Sequence, residues 1–506
     1  MQRLFISVLS LAAFAPAARA QSAPDPQPSA DATAHPPADT AQPSSEPAVA
    51  SPGAPSDTPP PASSPANPNP PPAGLPAPTP AEAKVPQPAV TAKWDMSLYG
   101  FIELDSAYDS VQGFNDLAGN AAIARPGSFA GNNDQFTMSA RNTRIGYRVS
   151  APTYHDMKAS AQLELDFFGN QPTPLSEAAF FQNAALRTRH ANLKIETPYV
   201  DVLFGQYWEL FGWQSYFHPN TVELQGVPGQ VYSRTPQIRV SKKIKAGDIS
   251  VEMAIAALRP PQRASGVPDG QAGLKLNIDA IKAYHTAGGT GTSLDSASVG
   301  VSVIGRKFQA NEFTAAPAKE VSANGYGISI DALIPVIPAT KERKANALSV
   351  TGSFVTGAGI ADQYTGLSGG VSEPALPNPT GKTPPPTYTP NIDNGLALFT
   401  KDGQLHPIQW TSYIVGLQYY LPPSGKVWLS GVYSHMSSGN DHAFGDKTKI
   451  FEKSDWVEGN VFVDVTPAWR LGAEYAYFHQ DYAAPSGDGS TAAKDHRVQL
   501  SAWLIF

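Results

Sequence analysis

The chain ends in the stretch DHRVQLSAWLIF, residues 495–506, and the rest of the sequence is best interpreted from there. Polar and apolar side chains alternate along it. One face carries Val498, Leu500, Ala502, Leu504 and Phe506, and the other carries Arg497, Gln499 and Ser501 before the less polar Trp503 and Ile505. Because side chains alternate across a strand with a period of two, the pattern predicts a strand with one apolar and one polar face.

A terminal strand that ends on an aromatic residue is typical of outer-membrane β-barrels, where the last strand closes the cylinder. A soluble β-sandwich could also contain one such strand. The pattern of polar and apolar residues over positions 94–506 must therefore decide between the two folds.

The first twenty residues have the pattern of a secretory signal peptide. Arg3 gives a positive start, and residues 4–15 form an apolar run that is shorter than the roughly 20 residues needed to span a bilayer. Ala18-Arg19-Ala20 is a small-x-small cleavage site, so we expect the mature chain to begin at Gln21. The alternative is a retained anchor helix.

Residues 21–93 are of low complexity. They hold close to half of the chain's 49 prolines and contain no aromatic residue. Such a segment cannot bury a core, so we expect an extended, solvated periplasmic tether. It is either a passive linker or a spacer that contacts peptidoglycan.

Composition excludes several classes of protein. The chain has no cysteine, which excludes a disulfide scaffold, thiol catalysis and cysteine metal sites. The net charge of −7 argues against nucleic acid as a partner. A mean hydropathy of −0.24 fits a soluble protein, but it also fits a polar-lined barrel, whose strands carry only half the apolar signal of a membrane helix.

Residues 158–167 show the clearest alternation in the chain. One face is apolar, and the other carries Lys158, Ser160, Gln162, Glu164 and Asp166. Burying charges of both signs inside a dry sandwich would be costly, so the polar face must be wet. The smooth apolar face is what a lipid-facing wall needs.

The same pattern recurs, and it predicts an all-β transmembrane antiparallel barrel over residues 94–506. About 16 strands are expected, an even number as in bacterial outer-membrane barrels. They lie near residues 98–105, 144–149, 158–167, 190–195, 200–208, 237–241, 249–258, 273–283, 297–307, 323–334, 345–356, 407–420, 427–436, 454–463, 469–479 and 496–506.

Two regularities support closure of the barrel. Short connections, such as residues 197–200, alternate with long ones, such as residues 357–406, as periplasmic turns and outer loops do. Aromatic residues also cluster near strand ends, where we expect interfacial girdles. This group comprises Phe167, Phe168, Tyr207, Trp208, Tyr419, Tyr420, Trp456 and Trp469.

The insertion of residues 209–233, between the fifth and sixth predicted strands, is rich in aromatic residues for a loop. We expect it to fold into the barrel and narrow the channel; the alternative is that it covers the outer rim or a subunit interface. The candidate constriction residues are Glu209, Trp213, Tyr216, His218 and Glu223.

Arginines form the second functional feature. Alternation assigns Arg144, Arg148, Arg239 and Arg497 to the interior, and Arg234 stands where the insertion rejoins the wall. Guanidinium groups along a wet wall would attract carboxylates or phosphates and bind them with two hydrogen bonds.

The alternative for these arginines is structural pairing with interior acids. The acids available for pairing are Glu103, Asp105, Glu164 and Asp166. Arg187 and Arg189 share the parity of the apolar face. Either the register shifts there, or they lie at the rim or between subunits.

Several short motifs resemble the DcaP-like family of trimeric outer-membrane porins. They are LYGF at residues 98–101, RIGY at 144–147, LDFFG at 165–169, RTRHA at 187–191, FGQYW at 204–208, PQIR at 236–239 and the terminal Phe506. The resemblance implies a 16-stranded homotrimer in which the third long loop constricts each pore. It also implies passive uptake of small anions, dicarboxylates in particular. Some members of the family have a coiled coil where this chain has its proline-rich tract.

No motif indicates catalysis. The sequence contains no Gly-x-Ser-x-Gly, no phosphate-binding glycine loop and no His-Glu-x-x-His, and His190, His218 and His435 are interpreted as wall or loop residues. We expect no enzyme activity, no cofactor and no metal.

The predicted location is the outer membrane of a Gram-negative bacterium. The predicted partners are small anionic solutes, outer-membrane lipid and lipopolysaccharide. The alternatives to an anion porin are a general diffusion porin and a barrel that anchors the outer membrane to the cell wall.

Overall fold

The computed structural model describes residues 93–114, 116–169, 185–223, 226–261, 265–286, 291–367, 376, 381, 395–445 and 451–506. The predicted signal peptide, residues 1–20, and all but the last residue of the predicted tether, residues 21–93, lie outside the described residues. No helix in the described ranges is long and apolar enough to cross a membrane.

The described part of the chain is built from β-strands. They are β1 (Asp95–Asp109), β2 (Gln135–Ser139), β3 (Arg144–Ser150), β4 (Lys158–Asp166), β5 (Arg187–Glu196), β6 (Asp201–Trp208), β7 (Arg234–Ala246), β8 (Ile249–Leu258), β9 (Asp269–Thr286), β10 (Thr292–Asn311), β11 (Glu320–Ile337), β12 (Leu348–Ala358), β13 (Ala397–Phe399), β14 (Leu405–Pro407), β15 (Gln409–Tyr420), β16 (Val427–Ser438), β17 (Phe451–Asp464), β18 (Trp469–Tyr482) and β19 (Ala492–Ile505). Single turns of 3₁₀ helix span Ala130–Asn132, Phe211–Trp213, Ala361–Gln363 and Asp441–Ala443.

These strands form a closed antiparallel barrel with 16 strand positions. β2 and β3 both pair with β1, so they are two halves of one barrel strand. β13 and β14 form a separate small hairpin. Every other strand pairs with its neighbours in chain order, so the predicted fold class and strand count are confirmed.

The last strand closes the cylinder, as its sequence predicts. β19 pairs with β1 from Phe101 opposite Ile505 to Asp109 opposite Arg497. Beyond that register, the Phe506 N–H donates to the Gly100 carbonyl (3.0 Å) and the Gly100 N–H donates to the Phe506 carbonyl (2.9 Å). Closure removes the free sheet edges that hydrocarbon could not solvate.

The two faces of the wall separate as alternation predicts. Outward side chains are apolar and exposed, for example Leu98 (63%) and Leu504 (52%). Inward side chains next to them, such as Glu103 and Gln499, are buried. The exterior is therefore an apolar belt of the kind that faces lipid.

The connections are sorted by length between the two ends of the barrel. Residues 197–200, 247–248 and 465–468 make tight turns at one end. The long connections, among them residues 209–233 and 359–408, lie at the other end. β1 begins and β19 ends at the short-turn end, which is the periplasmic end in barrels of this kind.

The predicted aromatic girdle is wrong for four of its residues, one of which is Tyr207, whose ring lines two interior cavities. Trp208, Tyr420 and Trp456 are buried inside the barrel, whereas Trp469 is exposed on the outside (42%). Position near a strand end does not say which face a residue occupies. Parity along the strand turns Tyr420 and Trp456 inward, whereas the neighbours Tyr207 and Trp208 both line an interior cavity.

An apolar cluster fills much of the lumen beside β10–β18. It joins the connection after β1, the insertion and the long connection after β12 to the inner wall. Phe114 stacks on Phe478 with ring centroids 5.7 Å apart, and Trp456 meets the same ring edge-on at 5.3 Å. The polar cavities described below lie along another part of the wall, from β3 to β9.

Gly146 lies on the inner wall at a position where a neighbouring aromatic ring leaves no space for a side chain. The Tyr99 ring lies over Gly146, so a Cβ added at Gly146 would come 2.2 Å from Cζ of Tyr99. Tyr99 Oη in turn donates to Glu164 Oε2 (3.0 Å) and accepts from Gln162 Nε2 (2.5 Å). A side chain at Gly146 must displace the ring and break these bonds.

We therefore expect Gly146→Ala to lower the barrel's unfolding temperature in SDS, at a cost of about 1–3 kcal/mol, as is usual for overpacking. Heat-modified mobility on gels measures the transition. Gly459→Ala is the matched control, because nothing lies within 4 Å of a Cβ added there. Equal unfolding temperatures for the two variants would contradict the expectation.

Candidate pore and its constriction

The insertion begins by attaching to the wall across the lumen. The N–H groups of Leu210 and Phe211 donate to Gln271 Oε1 on β9 at 2.8 and 2.9 Å. The Gly212 N–H donates to Ser302 Oγ on β10 at 2.7 Å. Polar side chains on the inner face thus satisfy backbone groups that no strand partner reaches.

The insertion then continues to the wall formed by β16–β18. Ser430 Oγ donates to the Asn220 carbonyl (2.7 Å), and the Val222 N–H donates to Asn460 Oδ1 (3.0 Å). The Glu223 N–H donates to Glu474 Oε2 (3.0 Å). These anchors confirm the predicted inward fold.

Three of the predicted constriction residues anchor the insertion. Glu209 accepts from Gln271 Nε2 (2.6 Å) and Gln363 Nε2 (2.9 Å) and is buried. Trp213 donates its Nε1–H to the Val301 carbonyl (3.2 Å) and packs against the wall. Tyr216 donates its hydroxyl to the Ser296 carbonyl (3.0 Å).

The other two, His218 and Glu223, face a cavity between the insertion and the wall. The His218 ring lies 5.5 Å from the centroids of both Trp208 and Tyr232. Burial, with smaller contributions from His285 and Arg234, lowers the pKa of His218 to about 3 and keeps the ring neutral. Glu223 Oε2 lies 3.9 Å from Arg497 Nη2.

Four of the five predicted selectivity arginines have no acidic partner among the described residues, since no carboxylate oxygen there lies within 4.0 Å of their guanidinium nitrogens. All four stack on aromatic rings. Arg148 lies 4.1 Å from the Tyr99 centroid, Arg144 5.1 Å from Phe101, Arg239 5.9 Å from Tyr207, and Arg234 4.7 Å from Trp208. Stacking holds these groups in place without neutralising them.

Arg497 is different. Its Nη1 donates to both carboxylate oxygens of Asp109 at 2.9 and 3.0 Å, and the side chain is buried. It lines none of the cavities described below. The structural alternative, an interior ion pair, therefore describes Arg497 better than a role in selectivity.

The structure also decides the position of Arg187 and Arg189. A register shift between β4 and β5, at Glu164 and Leu165, turns both Arg189 and His190 inward. Arg189 Nε then donates to Glu164 Oε1 (2.7 Å). Arg189 Nη1 and Arg187 Nη2 share Asp166 Oδ2 at 3.0 and 2.6 Å. These acids neutralise Arg187 and Arg189 and leave the four stacked arginines charged.

Polar cavities follow the wall from β3 to β9. The outer cavity, about 290 Å³, lies at the long-connection end beside Arg234. The middle cavity, about 250 Å³, lies between the insertion and Arg144, and the inner cavity, about 410 Å³, is lined by Arg239. Arg148 lines both the middle and the inner cavity. Each of the four stacked arginines thus borders at least one of these cavities.

Lys275 is a residue of the inner cavity that the sequence analysis did not single out. Its Nζ lies 4.0 Å from the Tyr216 ring centroid and 3.1 Å from Glu252 Oε2. Lys275 lies in the predicted strand near residues 273–283, whose polar and apolar faces were not assigned from the sequence.

Tyr232, at the end of the insertion, lies among three guanidinium groups. Its hydroxyl accepts from Arg189 Nη2 at 3.1 Å, and Arg234 lies 5.1 Å from its ring centroid. Burial raises the pKa of Tyr232, but Arg189, Arg144 and Arg234 together outweigh burial and lower this pKa to about 7. The tyrosine can therefore add a negative charge to the middle cavity near neutral pH.

A closed barrel with an apolar belt and a loop folded into its lumen defines an outer-membrane channel fold. The structure is similar to the outer membrane channel DcaP of Acinetobacter baumannii, with a TM-score of 0.55 and 19% identity over 82% of this chain and 97% of that one. It also matches the anion-selective porin from Comamonas acidovorans (TM-score 0.45, 10% identity, 82% and 100% covered). A further match is OmpT of Vibrio cholerae in its trimer form (TM-score 0.43, 10% identity, 82% and 99% covered).

No protein-family model matches the chain, and no curated protein matches it. The likeness to DcaP confirms, for the fold, the resemblance that the sequence motifs indicated. Together with the apolar belt, it assigns the chain to the outer membrane of a Gram-negative bacterium.

The attachment of the insertion can be tested at Gln271, which accepts two of its backbone N–H groups and donates to Glu209. Each buried group left without a partner costs about 1–3 kcal/mol. We expect Gln271→Ala to loosen the insertion, so that single-channel currents in planar bilayers become larger and noisier.

The control is Gln418→Ala, because the Gln418 amide donates to Tyr420 on its own strand. This variant should conduct like the wild type. Unchanged currents in Gln271→Ala would show that the insertion is held by its other anchors.

Proposed function

We propose that the protein is a porin for passive diffusion of small hydrophilic anions, with dicarboxylates among its solutes. The observation that carries the proposal is the set of four arginines without acidic partners, Arg144, Arg148, Arg234 and Arg239, along cavities beside an inward-folded loop. The overall charge of −7 does not oppose this, because local charge along the path decides which ions enter.

Narrowing of the channel by the insertion strengthens the electrostatic effect of each arginine. The insertion replaces water with protein beside the arginines, and Coulomb interactions grow as the effective dielectric constant falls. A guanidinium group presents paired N–H donors that match a carboxylate. Arginines that border successive cavities could contact both ends of a dicarboxylate, which supports this solute class.

The remaining parts of the proposal rest on the family resemblance and on sequence. The resemblance to DcaP-like porins supports a homotrimer surrounded by outer-membrane lipid and lipopolysaccharide. Peptidoglycan contact through residues 21–93 stays a prediction, as does the tether role of that tract.

The charge mechanism predicts the outcome of removing two arginines. We expect Arg144→Ala combined with Arg239→Ala to lower anion selectivity, measured as the reversal potential in a salt gradient, and to weaken block by succinate. Higher salt should reduce the wild-type preference, because the Debye length falls from about 10 Å at 0.1 M to about 3 Å at 1 M.

The matched control removes two cations that line none of the three cavities, Lys319 and Arg343, with the same change in net charge. Its reversal potential should equal that of the wild type. A cation-selective wild type, or a double arginine variant with unchanged reversal potential, would leave a general diffusion porin as the function.

The lowered pKa of Tyr232 predicts that anion selectivity changes with pH in a definite direction. Below a pKa of about 7 the phenol is neutral, and above it the phenolate offsets part of the guanidinium charge. His218 stays neutral across this window because its pKa is about 3. We expect anion selectivity to fall as pH rises from 6 to 8 in the wild type, by reversal potential, and to change less in Tyr232→Phe. Equal pH profiles would show that Tyr232 does not titrate in this range.

A further inference from the structure

Three metal-ligating side chains meet at the long-connection end of the barrel, away from the arginine path. Asp441 and His442 lie in the single 3₁₀ turn after β16, and Glu452 lies at the start of β17. His442 Nε2 is 2.5 Å from Glu452 Oε1 and 3.9 Å from Asp441 Oδ1. One ligand atom from each of the three side chains lies within 4.8 Å of the other two. Among the described residues, no other group of three histidine or acidic side chains meets this criterion.

The backbone that carries Asp441 and His442 is firmly fixed. Asn440 Nδ2 donates to the Pro407 carbonyl (3.0 Å), and Asn440 Oδ1 accepts from the Gln409 N–H (2.8 Å). The Phe444 N–H donates to the Asp441 carbonyl (3.2 Å), and the Phe444 side chain is fully buried. The backbone at the ligand positions therefore belongs to a packed turn and a barrel strand, and only the His442 and Glu452 side chains must move apart to admit an ion.

Asp441 supplies a second, independent observation. The residue is 4% exposed, and its Oδ2 has no hydrogen-bond partner among the described residues. A buried carboxylate oxygen without a partner is costly, and such groups in native proteins commonly mark an ion. An ion pair between His442 and Glu452 alone would leave this oxygen unexplained.

We propose that Asp441, His442 and Glu452 bind a divalent first-row transition metal such as zinc. One imidazole nitrogen and two carboxylate oxygens suit Zn²⁺, at bond lengths of about 2.0–2.2 Å, whereas Ca²⁺ and Mg²⁺ prefer oxygen alone. Three protein ligands leave the fourth tetrahedral position to water. The ion would join the connection after β16 to β17. No metal was predicted from the sequence, because the sequence contains no recognised zinc motif.

The first test is calorimetric titration of the detergent-solubilised full chain with Zn²⁺. We expect one site per chain in the wild type and at least tenfold weaker binding in His442→Gln and in Asp441→Asn. The control is His406→Gln, which removes an exposed histidine of β14 from outside the cluster. No stoichiometric site in the wild type, or equal loss in the control, would overturn the proposal.

A second test distinguishes imidazole ligation from an all-oxygen site. Zn²⁺ binding should weaken at acidic pH, because protons compete with the metal for an imidazole nitrogen. Ca²⁺ should bind far more weakly than Zn²⁺. Ca²⁺ binding as tight as that of Zn²⁺, or Zn²⁺ binding that does not depend on pH, would overturn the role of His442. Heat-modified mobility of each variant verifies that its barrel is folded.

Discussion

The fold depends on hydrogen bonds between backbone N–H and carbonyl groups in the hydrocarbon of the membrane, which contains no water. In hydrocarbon an unpaired N–H or carbonyl costs several kcal/mol, so a β-sheet can span a membrane only as a closed barrel. The pairing of β1 with β19 meets this requirement. Once the sheet is closed, each strand has a lipid side and an interior side, and the two-residue alternation of the sequence follows.

A wet interior lets polar wall side chains hold a loop inside the barrel. Gln271, Ser302 and Asn460 accept hydrogen bonds from the insertion's backbone, which has no strand partner there. The apolar cluster beside β10–β18 occupies the other part of the lumen. Polar cavities lie along another part of the wall, and the stacked arginines border them.

Pairing, more than the number of charges, determines what the interior arginines can do. Arg189 and Arg497 are buried against carboxylates and contribute mainly to structure. Arg144 and Arg239 stack on aromatic rings and have no acidic partner among the described residues. The proposed function assigns their charge to the attraction of a solute. Breaking an interior ion pair and removing a stacked arginine should therefore have different consequences.

The sequence by itself determined the class of fold and the faces of Arg144, Arg148 and Arg239. It gave the strand count as about 16 and favoured the inward fold of the insertion over a position at the rim. These follow from local periodicity and composition, which survive in any register of the finished sheet. Only the tertiary structure decided that Arg497 pairs with Asp109, because those residues are 388 positions apart in the chain. It also decided that Arg189 points inward, since a bulge shifts parity without leaving a mark in the sequence. Asp441 and Glu452 come together because a turn and a strand place them side by side, and that requires the pairing of β16 with β17.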